Sequence, residues 1–183
     1  MAGLAAAGAP GEALDLGSKA QLYDLGNFWV HHQLAILYAE APKPKLPECQ
    51  RHSMPLVSLR KDSSHAWRDY AWVLKERGEH DRAASAYRRA LELPDAEEGL
   101  QEDLGDVLFK ATDFAGAAEA FALAAQKNQV KRGNPSIFRK LADARSRKGD
   151  LPGAVEALRK AIELEPQDSK SYHALGEAHE AKG

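Results

Sequence analysis

From residue 64 onward, apolar and polar positions follow a helical rhythm. Trp67, Tyr70 and Leu74 fall at steps of three and four, as do Ala83, Tyr87 and Ala90, so each set lies along one side of an amphipathic helix. Gly78 and Gly149 stand just past such stripes, where glycine supplies the left-handed conformation that ends a helix. Asn134 and Pro135 read as the cap and first position of a helix. Pro152 suits a first turn, and Pro166 stops the helix before it. The pattern predicts pairs of helices joined by short turns.

Upstream the rhythm differs. Residues 18–41 predict one long helix with Leu22, Leu25, Trp29 and Ile36 along one side, either half of a degenerate repeat or a cap over the first hairpin. "PKPKLPECQRHSMP" then places prolines at 42, 44, 47 and 55, which breaks any continuing helix, so residues 42–63 read as a linker or extended segment. Residues 1–17 read as a disordered tail of small residues with too little apolar surface to bury.

The paired helices recur. "GEHDRAASAYRRALELPD", "TDFAGAAEAFALAAQKNQ" and "GDLPGAVEALRKAIELEP" carry equivalent alanines at Ala83, Ala117 and Ala154, 34 and then 37 residues apart. Ala90, Ala124 and Ala161 keep the same intervals, and Ala71, Gly105, Ala142 and Gly176 extend them with a further 34. Three sets agreeing on one period mark a repeat. Small residues on one helix let its partner approach, and larger ones fill the space beside the crossing. A single hairpin cannot bury its apolar face alone, so neighbours must stack.

A period of 34 carrying Trp67, Tyr70, Ala71, Leu74, Gly78, Ala83, Tyr87 and Ala90 in its first unit resembles the tetratricopeptide repeat family. Leu104, Gly105, Leu108, Ala117, Phe121 and Ala124 carry the resemblance in the second unit. Phe138, Leu141, Ala142, Gly149, Ala154, Leu158, Ala161 and Pro166 carry it in the third, and Tyr172, Leu175 and Gly176 in a partial fourth. The resemblance implies an all-α, right-handed superhelical solenoid of antiparallel helix hairpins, with residues 18–41 as an N-terminal capping helix. Its repeats would span 64–97, 98–134, 135–168 and, in part, 169–183.

Several positions depart from the pattern. Thr112 stands where the other turns have glycine, and Gln129 where a proline would close the second unit. Arg145 and His179 occupy positions where Leu74 and Leu108 predict an aliphatic residue. The 37-residue interval puts three extra residues into "QKNQVKRGNPSI", a lengthened basic loop, which makes the middle unit and this junction the weakest part of the stack. The pattern stops at Gly183, one helix into the fourth unit. Either that helix caps the stack, or the sequence is a short isoform or a piece of a longer array.

Composition narrows the functions. A net charge of −2 gives no electrostatic footprint for nucleic acid or an anionic membrane. No apolar run approaches the roughly 18 residues of a membrane span. Cys49 is the single cysteine, which excludes an intrachain disulfide framework and points to an intracellular, cytoplasmic setting. Residues 1–17 have no basic region, and Glu12 and Asp15 interrupt the alanines, so they do not read as a targeting peptide.

No chemistry emerges. Cys49 with His52 and the adjacent His31 and His32 lack the second ligand pair of a structural zinc site, so no metal or cofactor is expected. No catalytic motif is present, and no enzymatic activity is expected of these residues.

In the family, the first helix of each pair lines a concave groove that receives an extended peptide or a partner helix. Projection by helical spacing gives the groove candidates Arg68, Trp72 and Lys75, with Glu76 beside them, from the first unit. Glu102, Asp106 and Phe109, with Lys110, come from the second; Arg139, Asp143 and Arg147, with Ser146, from the third; and His173, with Glu177, from the last helix. Trp72 and Phe109 are aromatics the repeat core does not require, a property of interface anchors. They would otherwise pack on the N-terminal helix and on the neighbouring hairpin.

A clamp for chaperone C-terminal carboxylates is disfavoured. Arg68 and Lys140 could serve in one, but Trp72, Asp103 and Asp106 stand where its asparagines would be, and the carboxylates repel an acidic tail. The expected function is a protein-interaction scaffold for a partner peptide or helix. A docking region of a larger enzyme, whose catalytic domain lies outside this chain, is the other reading. An uncovered last helix could also stack between chains, giving self-association.

Overall fold

A computed structural model describes residues 57–129 and 134–180, together with Leu34 and Arg51, of the 183-residue chain. The described residues form seven helices longer than one turn: α1 (Ser64–Glu76), α2 (His80–Leu91), α3 (Leu100–Lys110), α4 (Phe114–Gln129), α5 (Pro135–Lys148), α6 (Leu151–Leu164) and α7 (Ser169–Glu180). None of the described residues is in a strand. The chain divides into two compact units, residues 1–97 and 98–183.

In the first unit α1 packs against α2. Ala66, Ala71, Leu74, Ala83, Tyr87 and Ala90 are buried, so small and large residues alternate across the crossing as the repeat requires. Gly78 ends α1 with φ 77°. Of residues 18–41 only Leu34 is described; it is helical and fully buried, and it lies off the stripe of Leu22, Leu25, Trp29 and Ile36. The other positions of the N-terminal tail and capping helix lie outside the described residues. Arg51 and residues 57–59 are helical within the stretch read as linker or extended. The sequence places Pro55 just ahead of 57–59, and proline suits a helix start as readily as it breaks an interior.

The second unit stacks its helices in chain order: α3 on α4, α4 on α5, α5 on α6, and α6 on α7. Ala124 and Ala125 of α4, Ile137 and Phe138 of α5, and Ala161 of α6 form one buried cluster, so the apolar interior runs from one hairpin into the next. Asp113, Asp150 and Asp168 cap α4, α6 and α7 by accepting from the backbone N–H of Gly116, Gly153 and Lys170 at 2.9, 3.0 and 3.2 Å. Asn134 caps α5 through Ser136 N–H at 3.0 Å. Gly149 closes α5 with φ 90°. Thr112 takes the same left-handed conformation, φ 63°, although it carries a β-branched side chain.

Two glycines at one repeat position differ in surroundings. A Cβ on Gly105 would lie 2.5 Å from the Phe121 ring, whereas one on Gly176 would have nothing within 4 Å. Arg145, at the expected aliphatic position, is half-buried and donates to the Gly153 carbonyl at 2.9 Å. The hydrogen bond spends its charge on a backbone acceptor at the start of the next helix. His179, the corresponding residue of α7, is exposed.

Candidate partner-binding face

The first helices of the hairpins, α1, α3 and α5, together with α7, carry the residues projected toward a groove. In the first unit, Arg68 is half-buried and engaged. Its guanidinium donates to Asp69 Oδ1 at 3.1–3.3 Å and to the Glu97 carboxylate. Burial alone would pull that guanidinium down, but Asp69 and Glu97 outweigh it and hold it above the ordinary arginine value. Glu97 also meets His65 Nε2 at 2.7 Å. Trp72 and Lys75 are half-buried on the same helix.

In the second unit, the projected residues separate into a bridged stretch and an open one. Lys140 of α5 reaches back to α3, placing its Nζ 2.8 Å from both Glu102 Oε1 and Asp106 Oδ2. The same ammonium lies 5.8 Å from the centroid of the Phe121 ring of α4. Burial tends to lower the Lys140 ammonium, while Asp106 and Glu102 more than compensate and raise it. Arg139 turns the other way, toward Asp168 at the start of α7. Phe109 is half-buried with its ring 5.2 Å from that of Phe114, edge to face, so part of this aromatic is spent within its own hairpin.

Asp143, Arg147 and His173 are exposed. Asp143 and Arg147 approach to 3.6 Å along α5, and His173 and Glu177 to 3.6 Å along α7. Such exposed i,i+4 pairs hold weakly and yield readily to a partner.

Between α5 and α7 lies a cavity of about 610 Å³. Ala142, Ala154, Leu158 and Ala178 make its apolar floor, and Asp143 and Glu177 stand on its rim. Arg139, Lys140, Ser146, Lys170 and Ala174 complete the lining. Sequence projection placed Arg139, Asp143, Ser146 and Glu177 on this face but left out Lys140, Lys170, Ala174 and the floor. The signal for the floor was available: Ala154 and Leu158 repeat the positions of Ala117 and Phe121 at the 37-residue interval. Among the described residues, no group of three or more His, Cys, Asp or Glu side chains is placed to hold a metal ion. Cys49, His52, His31 and His32 lie outside the described residues.

The sequence matches the family profile described as "Tetratricopeptide repeat" over residues 56–98 and 70–136, and that described as "TPR repeat" over residues 142–183. No curated protein is significantly similar in sequence. Among solved structures, MamA superposes with TM-score 0.79 at 21% identity, over 91% of this chain and 95% of its own. The C-terminal part of a TPR repeat-containing protein from Cytophaga hutchinsonii superposes with TM-score 0.80 at 18% identity, over 98% of this chain and 69% of its own. YrrB, described as a TPR protein with an unusual peptide-binding site, gives TM-score 0.77 at 19% identity, over 93% of this chain and 86% of its own. Identities this low establish the shared solenoid fold and nothing about what is bound.

Proposed function

The chain belongs to the tetratricopeptide repeat family, and from that premise we propose that it is a non-catalytic scaffold or adaptor whose first-helix face takes a peptide or helix of a partner protein. Repeat folds of this kind generally serve protein–protein interaction, and a fold alone names no partner. The open cavity between α5 and α7 is the observation that carries the reading. It combines an apolar floor with two carboxylates, Asp143 and Glu177, whose ion pairs are exposed i,i+4 ones, the composition of a recognition groove. The peptide-binding site of YrrB lends the fold-level analogy.

The same geometry argues against a clamp for acidic tails. Arg68, Arg139 and Lys140 are each engaged with carboxylates of this chain, so an incoming carboxylate would have to displace them. A protein partner is favoured over nucleic acid or an anionic lipid surface by the net charge of −2, and a cytoplasmic setting by the single cysteine. No described helix is long and apolar enough to cross a membrane.

Ser146→Trp places an indole on the cavity rim without touching the buried floor. The proteins retained by the immobilised wild-type chain from a cell extract should be lost on this variant, with helical circular dichroism unchanged. Undiminished capture by the folded variant removes the groove from the function.

A further inference from the structure

The residues lining the cavity between α5 and α7 have equivalents one repeat earlier that surround a bridging lysine. Between α3 and α5 the corresponding position is bridged by Lys140. Its ammonium sits over the Phe121 ring and 2.8 Å from each of Glu102 and Asp106. Shifting by the repeat interval carries Asp106 onto Asp143, Phe121 onto Leu158, Gly105 onto Ala142 and Ala117 onto Ala154, all of which line the open cavity. That shift is 37 residues; the next repeat interval, the 34 residues from Ala142 to Gly176, carries Lys140 onto Ala174.

Alanine is too short to reach back to α5. Asp143 therefore has no counterpart of the lysine that holds Asp106, only the exposed Arg147 of its own helix at 3.6 Å. Glu102 is replaced by Arg139, which lines the cavity with its guanidinium paired to Asp168. The cavity therefore keeps the equivalents of the Phe121 floor and of Asp106, has alanine where the preceding repeat has its bridging lysine, and carries Arg139, Lys140 and Lys170 elsewhere in its lining. Glu177, on the rim from α7, adds a second carboxylate.

We propose that this cavity is a cation berth, taking a lysine or arginine side chain of the partner, with its aliphatic stem over Leu158 and the alanines and its charge at Asp143 and Glu177. This rests on the scaffold reading above and specifies the partner chemistry at that same groove. Long basic side chains suit the shape because their stems are apolar and only the head needs a carboxylate. Lys170 sits seven residues before Glu177 on α7, about 10 Å away along the helix, so the opposite end of the groove is cationic. An acidic residue on the partner at that distance from its basic one would complete the match.

The test is selection of displayed random 12-residue peptides on the full 183-residue chain, followed by fluorescence anisotropy of the selected peptides. Binders blocked by Ser146→Trp should share a lysine or arginine, and replacing it by norleucine should weaken binding at least tenfold. Ala174→Lys restores the deleted lysine within the chain; it should weaken the same peptides at least tenfold while leaving the thermal midpoint unchanged or higher. Asp143→Asn with Glu177→Gln should do likewise. Groove binders that need no basic residue and ignore Ala174→Lys would overturn the cation berth and leave the scaffold reading standing. A selection that yields no peptide sensitive to any of these variants would overturn both.

Discussion

Lys140 and Asp106 join successive first helices across the face of the second unit, 2.8 Å from Nζ to Oδ2, with Glu102 at the same distance on the other side. Each of the three side chains is about one-third exposed or less, which puts the bridge between a surface pair and a buried one. Removing the lysine also leaves two carboxylates facing each other. Lys140→Met should cost about 1 kcal/mol in urea unfolding. Adding Glu102→Gln and Asp106→Asn to it should recover most of that loss. A single variant as stable as wild type would mean that the bridge contributes nothing to the stack.

Gly105 and Gly176 share a repeat position and should respond oppositely to alanine. In an open helix the change gains about 1 kcal/mol, and at Gly176 nothing lies within 4 Å to oppose it. At Gly105 the new Cβ would meet the Phe121 ring at 2.5 Å, and overpacking of this kind costs about 1–3 kcal/mol, enough to reverse the sign. Phe121→Leu should rescue Gly105→Ala, because the third unit already carries Ala142 and Leu158 at these positions. Thermal unfolding of the two single variants and the rescued double variant checks all three expectations.

The contrast shows where the sequence was legible. Helical spacing and the 34-residue period are properties of single side chains and their neighbours in sequence, so the helices from Ser64 to Glu180 and the buried alanines could be read directly. Of the residues projected onto one face of α5 and α7, Arg139, Asp143, Ser146 and Glu177 line the cavity and Arg147 and His173 do not, since spacing gives a helix face but not the reach of each side chain. Which side chains would be consumed by the fold was not legible. Lys140 selects α3 over α7, Arg139 selects Asp168, and Phe109 turns to Phe114, and each choice depends on distances between helices.

Thr112 holds φ 63° at the α3–α4 turn, where Gly78 and Gly149 serve the other two hairpins. A β-branched residue in the left-handed region costs about 1–2 kcal/mol, partly offset by the extra freedom glycine has in the unfolded chain. Thr112→Gly should therefore stabilise the chain by up to about 1 kcal/mol. Gly149→Ala, which imposes the same strain in the opposite direction, should destabilise it by a similar amount. Urea midpoints at constant m-value would measure both, and a Thr112→Gly variant less stable than wild type would show that the threonine side chain contributes more than its backbone strain costs.

Asp168 is held below the ordinary aspartate range by the Ser171 hydroxyl, which donates to its Oδ2 at 2.5 Å, and further by Arg139 and the Lys170 backbone N–H. Asp95 is depressed in the same direction, chiefly by the Ser64 backbone N–H, which lies 3.0 Å from both carboxylate oxygens. A carboxylate with a depressed folded-state pKa binds its proton less readily folded than unfolded. Its stabilising contribution is therefore complete above the unfolded value of about 4 and disappears as the pH falls through the depressed one. Asp168→Asn should be less stable than wild type at neutral pH, and the gap should close on acidification into the range where both carboxylates are protonated. Ser171→Ala, which removes the largest cause, should move the Asp168 titration back toward the ordinary aspartate value, readable from its carboxyl carbon shift by NMR. A gap between Asp168→Asn and wild type that stays constant down to acidic pH would assign the loss to packing at the start of α7 instead of to the charge.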